Sequence, residues 1–329
     1  MLKLTVITLT IALAAVCAMG QAPTLQIKTP DGPNLPADLY YGNVKVKPVR
    51  LRPGTNQVIT IDDADFFVNQ QYVDFLNRFP DPGGFSYWIS QITGCGTNQA
   101  CVFAKRIDVS NAFFFEQEYQ KTGAYAYRLY RIAFGNSQPK PNPAPDPKFP
   151  GENLKIPSYD AFKPDRAAID ASNLAQSQLA LANDFVQRPD FINRYAANMP
   201  LDQFVDTVLA TIKNDLGVDL TSQKGALVGL GSRGAVIYRL ADDNAANPIS
   251  NGSLINAEYN RAFVYGEYGG YLRRDSDIGG FLFWLGQVNS GPLRDVPKQH
   301  AMVCSFITSD EWQLRFGNTV THHNSECPH

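Results

Sequence analysis

Several clusters in this sequence contain the residue types that catalysis or ligand binding requires. Gly229-Leu230-Gly231-Ser232-Arg233-Gly234 spells a literal GxGxxG. A dinucleotide site needs a strand before that motif, a helix after it and an acidic residue ending the next strand. Ala226-Leu227-Val228 makes a poor strand, and Asp242-Asp243-Asn244 leads toward Pro248 and another turn, so a glycine-rich turn between helices is expected. Asp275-Ser276-Asp277-Ile278-Gly279-Gly280 resembles the start of a calcium loop, but Gly279 stands where a third ligand belongs and no Glu closes the loop. Helix capping by Asp277 is the expected role.

Nucleophilic catalysis would have to use His300, His322, His323 or His329, and no nucleophile is placed for any of them. His322, His323 and His329 fall in a polar tail that could take up copper or nickel adventitiously; a disordered tail pinned by Cys327 is expected instead. Glu116 and Glu118, or Asp62, Asp63 and Asp65, could be imagined as a glycosidase pair, but residues two apart on a helix point in different directions. Tyr259, Tyr265, Tyr268 and Tyr271 could stack on sugars; packing is expected for them, with Tyr265 the exception to watch. No catalytic, cofactor-binding or metal-ligating residue is therefore expected.

The compartment is read from the N-terminus. Met1-Leu2-Lys3 is followed by an apolar run from Leu4 to Val16 and by Ala18-Met19-Gly20, the pattern of a secretory signal cleaved before Gln21. Cys17 is a poor lipidation site because Val16 precedes it. No later stretch is long and apolar enough to span a bilayer. With 29 basic against 31 acidic residues, no field exists to attract nucleic acid or an anionic membrane. In an oxidising compartment Cys95, Cys101, Cys304 and Cys327 read as two disulfides. Three pairings are open, and loop closure favours Cys95 with Cys101 and Cys304 with Cys327.

The elements that position these residues recur. Phe67 to Gln91 aligns without a gap on Phe263 to Gln287, with identities that include Tyr72/Tyr268, Leu76/Leu272, Arg78/Arg274, Asp81/Asp277, Gly83/Gly279, Gly84/Gly280, Phe85/Phe281 and Trp88/Trp284. After a three-residue shift, Phe113, Glu118 and Tyr119 align with Phe306, Glu311 and Trp312, and Phe185, Asp190 and Phe191 repeat that spacing, with Tyr127 to Gly135 as the opening helix of this third copy. Each unit reads as a helix, a tight turn and a second helix. Asp62 or Asp63 can cap the first helix, and Asp81 the second, with Pro82 at its first position. The second helix should bury Phe85, Trp88, Ile89 and Ile92, and its counterpart Phe281, Trp284, Leu285 and Val288. Ser110 to Tyr119 supplies a third helix.

The fold class expected is all-α, in duplicated helical units, with a short extended or β N-terminal arm and a Pro-rich insertion. The boundaries are a signal peptide at 1–20, an arm at 21–61, a first unit at 62–137, a Pro-rich linker at 138–165, a divergent middle unit at 166–250, a second clear unit at 251–317 and a tail at 318–329. Alternation from Asn43 to Ile61 around Pro53-Gly54 suggests a β-hairpin there, and the prolines of the linker, Pro139 to Pro164, forbid a helix.

The run Gln71-Tyr72-Val73-Asp74-Phe75-Leu76-Asn77-Arg78-Phe79-Pro80-Asp81-Pro82-Gly83-Gly84-Phe85-Ser86-Tyr87-Trp88 resembles the signature of the bacterial domain-of-unknown-function family 4214. Tyr271-Leu272-Arg273-Arg274-Asp275-Ser276-Asp277 and Trp284 match it again, with Ser276 in place of a proline, and Phe306, Ser309, Glu311 and Trp312 match its later element. The resemblance implies a small helical domain of secreted or cell-surface proteins, distantly like phycobilisome linker domains, and it brings no catalytic residues.

The expected function is a noncatalytic envelope or extracellular structural or interaction domain binding a protein or glycan, without a cofactor. The alternatives are a secreted enzyme acting on envelope polysaccharide through carboxylates, and a self-assembling surface protein. Intact-mass analysis of the protein exported from a bacterial host should show a chain beginning at Gln21; an uncleaved Met1 or a lipidated Cys17 would contradict the export reading.

Overall fold

The structure, a computed structural model, describes residues 55–140, 146–242 and 253–327, together with strands at 25–28, 38–41 and 44–46. The signal segment, Cys17, Pro53-Gly54 and His329 lie outside the described residues.

The N-terminal arm holds β1 (Leu25–Lys28), β2 (Asp38–Tyr41) and β3 (Val44–Val46) in one antiparallel sheet of order β1-β2-β3. Tyr41 pairs with Val44, so β2 and β3 are joined across two residues. A strand at Val44 was expected, but its partner precedes it. The alternating segment from Val58 to Ile61 forms no strand; there Thr60 and Asp63 close a turn in which Asp63 Oδ2 accepts the Thr60 amide.

Helices α1 (Ala64–Gln71), α2 (Pro82–Thr93), α3 (Gln99–Phe115) and α4 (Gln117–Lys121) follow. Asp63 is the residue at the α1 N-cap, but its carboxylate makes no capping bond, being turned back on Thr60. Beyond α1 the chain continues as a π-helical turn, Tyr72–Leu76, ended by Asn77 in the left-handed region. After α4 come α5 (Gly123–Phe134), α6 (Tyr159–Ala167), α7 (Leu174–Phe185) and α8 (Pro189–Arg194).

α6 lies inside the stretch expected to exclude helix. Its Ser158 cap accepts the Ala161 amide, and Tyr159, Phe162 and Arg166 share a buried face that outweighs the one amide lost at Pro164. The chain just before α6 is not a free linker. Leu154 and Ile156 are buried, the Arg261 guanidinium donates to Leu154 O at 2.8 Å, and the ring of Phe149 lies against Gly279.

Next are α9 (Leu201–Thr211), which also runs into a π-helical turn (Ile212–Leu216) ended by Gly217, then α10 (Lys224–Val228) and α11 (Arg233–Ala241). The GxGxxG therefore joins two helices, and Gly231, at φ 77°, makes the turn. Last come α12 (Ser253–Glu267), the π-helical turn Tyr268–Leu272 ended by left-handed Arg273, α13 (Ile278–Asn289), α14 (Val296–Ile307) and α15 (Asp310–Gln313). Both locally paired disulfides are present, Cys95–Cys101 and Cys304–Cys327. Instead of being disordered, the described tail is held by Cys327 and by Gln313, whose side chain bonds Thr321 and His322.

The core runs continuously through these helices and is unusually rich in aromatic contacts. Phe75 and Tyr271 occupy the same repeat position, and their rings meet edge to face at 5.2 Å. Each also packs on the aromatic that ends its own unit: Phe75 on Tyr119 at 6.0 Å, Tyr271 on Trp312 at 5.8 Å. α3 packs on α14, again the same element from two units. Residues that align in the two repeats of the sequence thus meet across one junction.

One polar clamp spans that junction. The Asp74 carboxylate is fully buried and accepts from Arg315 at 2.9 and 3.0 Å, from Arg273 at 3.1 Å and from Gln70 at 2.8 Å. Burial alone would raise its pKa; the charges of Arg315 and Arg273 overcome this and hold it below the usual carboxylate value. Replacing Asp74 with Ala strands two guanidinium groups, so we expect a loss of about 3–5 kcal/mol in urea unfolding. A loss under about 1 kcal/mol would show that the clamp is incidental.

Candidate aromatic groove

The site is built on the two Asp-x-Gly-Gly turns. Asp81 and Asp277 cap α2 and α13, accepting the amides of Gly84 and Gly280 at 2.8 and 2.6 Å. Capping by Asp277 is thus the observed role; Asp275 instead accepts the Tyr159 amide at 2.6 Å. The second glycine of each turn is required by close approach, because a Cβ there would collide with the hydroxyl of Tyr72 or Tyr268. The first is freer at Gly83; at Gly279 a Cβ would press on Phe149 at 3.1 Å.

Around each turn the same contacts recur. Arg78 donates to Glu118 from Nε at 2.5 Å and from its terminal nitrogen at 2.7 Å; Arg274 does so to Glu311 at 2.5 and 2.8 Å. Each guanidinium covers a tyrosine ring, Tyr72 at 4.9 Å and Tyr268 at 5.7 Å. Tyr72 meets Phe113 edge-on at 4.9 Å and Tyr268 meets Phe306 at 5.0 Å. In the middle of the chain Tyr130 meets Phe185 at 5.0 Å in the same arrangement, with Asp165 bound by Arg188 and Tyr130.

Trp88 and Trp284 are half-buried, not buried as the helical spacing suggested. Each packs edge-on with its exposed neighbour, Tyr87 at 4.9 Å and Phe283 at 5.0 Å. Of the expected α2 and α13 core, Ile92, Phe281 and Val288 are buried, while Phe85, Ile89 and Leu285 are only partly so. Trp88 also packs on Phe113 at 5.5 Å, whereas Trp284 borders a cavity.

That cavity, in the last unit, is a groove of about 530 Å³ between α13 and α14, a volume typical of small-ligand sites. Its floor is Tyr268 and Phe306, and its wall is Trp284 and Phe283. Its polar side chains are Arg274, Asp277, Gln287, Lys298, Ser305, Ser309, Glu311 and Asn324, the last accepting from the Thr308 hydroxyl at 2.6 Å. Ser309 caps α15, and Arg274, Glu311 and Asp277 are engaged as above. Among the described residues, the Gln287 amide, the Ser305 hydroxyl and the Lys298 ammonium have no protein partner in hydrogen-bond or ion-pair contact. A smaller cavity of about 310 Å³ beside Tyr130 and Phe185 stands at the same place in the middle unit.

The other sequence-selected groups lie elsewhere. Tyr259, Tyr265, Tyr268 and Tyr271 are all buried, and Tyr265 packs between Tyr127 and Phe162. His300 lies beside Asp108 at 3.8 Å, and burial lowers its pKa. Of the acidic residues weighed as a catalytic pair, Glu118 is bound by Arg78, while Asp62 joins a cluster the sequence did not reveal. His322 Nε2 lies 3.3 Å from Asp62 and its Nδ1 2.9 Å from Glu326, with Arg106 on Asp62 at 3.2 Å and Phe103 stacked on the imidazole.

The hydrogen bond to Asp62 raises the His322 pKa, and the one to Glu326 adds to it. Asp62 sits at about 2: burial opposes its charge, but His322 and Arg106 outweigh burial. Among the described residues burial raises the carboxyl pKa of Asp275 and, far more strongly, of Glu267, which is wholly buried in the core with both its oxygens lacking hydrogen-bond partners. Among the described residues no cluster of three or more His, Cys, Asp or Glu could hold a metal.

No family model, curated protein or solved structure matches this chain.

Sequence reasoning passed over Phe283, Gln287, Lys298 and Ser305. A signal existed in the repeat register: Lys105 and Lys298 are equivalent, but Asp108 is replaced by Ala301. For His322 the sign of the pH effect follows from its raised folded pKa. The tail contact is at full strength below the unfolded value near 6.5 and is lost as pH rises through the folded value. An NMR titration should place His322 above 6.5 and His300 below it, and Asp62→Asn should lower His322. A titration of His322 at or below 6.5 would contradict the clamp between Asp62 and Glu326.

Proposed function

We propose that this chain is an exported, noncatalytic interaction domain of the bacterial envelope or extracellular space, a divergent relative of family 4214, and that it binds a protein or glycan through the groove of its last unit. The observation that carries this reading is the groove itself, where exposed aromatic faces adjoin three polar side chains that the protein leaves unengaged. Aromatic surface next to unsatisfied polar groups is the ordinary composition of a binding site.

The carboxylates near the groove favour binding over hydrolysis. A glycosidase needs one carboxyl held protonated beside another that stays charged. Here Glu311 is tied to Arg274, Asp277 to a helix N-terminus, and the carboxyl with the strongly raised pKa, Glu267, is sealed in the core. The two disulfides are compatible with export. No described helix is long and apolar enough to cross a membrane.

The test is a screen of glycans and envelope-protein fragments with the native protein, Trp284→Ala and Trp88→Ala. The two substitutions remove a half-buried tryptophan from sister positions, and urea unfolding of each variant separates loss of binding from loss of fold. Binding should fall at least tenfold in Trp284→Ala and persist in Trp88→Ala. Binding indifferent to Trp284, or steady turnover of a polysaccharide abolished by Glu311→Gln, would sink the reading.

A further inference from the structure

Within that interaction reading, on which this inference rests, the groove of the last unit differs in charge from the aligned positions of the first unit. In the first unit Lys105 is neutralised by Asp108 at 2.9 Å, and Glu116 stands nearby in the repeat register. In the last unit the equivalent positions are Lys298, Ala301 and Ser309. Two negative charges have been removed and the lysine kept. Arg274 is matched by Glu311, whereas Lys298 has no carboxylate in ion-pair contact among the described residues; Asp277, the other charge of the groove, is turned to the Gly280 amide at the start of α13.

We propose that this groove binds an acidic glycan, with a sugar-ring carboxylate on Lys298. A hexuronate fits the arrangement. The apolar face of its ring can lie on Trp284, with Phe283, inclined 73° to Trp284, bordering it. Its hydroxyls can meet the Gln287 amide and the Ser305 hydroxyl, and its carboxylate the ammonium. A groove of about 530 Å³ accommodates a short oligosaccharide.

The experiment compares oligogalacturonate with its methyl ester by calorimetry on the purified full-length protein. The ester keeps the sugar and removes the charge. The acid should bind at least tenfold more tightly than the ester, and its affinity should fall as salt rises. Lys298→Gln, which exchanges a half-buried surface side chain and preserves the circular-dichroism spectrum, should erase the difference between acid and ester. Lys105→Gln should preserve it.

Equal binding of acid and ester, or a preference unaffected by Lys298→Gln, would overturn the proposal. So would Trp284-dependent binding of a poly-glutamate peptide with no saccharide bound. That last result would leave the broader interaction reading standing, whereas loss of all Trp284-dependent binding would remove both.

Discussion

A single buried carboxylate joins the two ends of this chain. Asp74 belongs to the first unit, and the arginines that hold it, Arg273 and Arg315, belong to the last. Arg273 reaches it from a left-handed backbone position, a conformation that costs a non-glycine residue about 1–2 kcal/mol. The clamp is not duplicated: the repeat counterparts of Asp74, Arg273 and Arg315 are Gly270, Asn77 and Thr122. A buried ion pair adds little net stability but strongly penalises arrangements that break it. It selects one way of facing the units together.

That choice determines the use of the aromatics. With the first and last units face to face, Phe75, Tyr119, Tyr271 and Trp312 close the junction, and Trp312 is wholly buried. Trp88 and Trp284 then fall on the outer side of their units, each beside an exposed ring. The repeated turn contributes rigidity there, through its aspartate cap, its arginine on tyrosine and its glycine beneath the tyrosine hydroxyl. The groove floor rests on the junction, since Phe306 packs on Tyr271 at 5.8 Å, while the side chains at its rim differ between units. Lys105 with Asp108, against Lys298 with Ala301, is such a difference.

Much of this fold was legible because the repeat is written in residues with narrow backbone or packing requirements. The Gly-Gly pair, the aspartate cap and the aligned Tyr72/Tyr268 and Phe113/Phe306 positions are each exposed by the repeat. Both disulfides followed from loop length. The tryptophans were misjudged because helical spacing finds a face without saying how far a neighbouring helix covers it. α6 was missed because one proline was weighed above a serine cap and an apolar face. The Asp74 clamp and the His322 contacts were not legible: they join residues as far apart as Asp62 and His322, and no local pattern marks them.

Hydrogen exchange under mild denaturant addresses the central claim, that the terminal units form one cooperative body locked around Asp74. The account predicts that amides of α1 with its π-helical turn and of α12 with its π-helical turn open together, with the same free energy and the same denaturant dependence. Exchange of one of these segments through a separate, lower-energy opening, while the other stays protected, would contradict it.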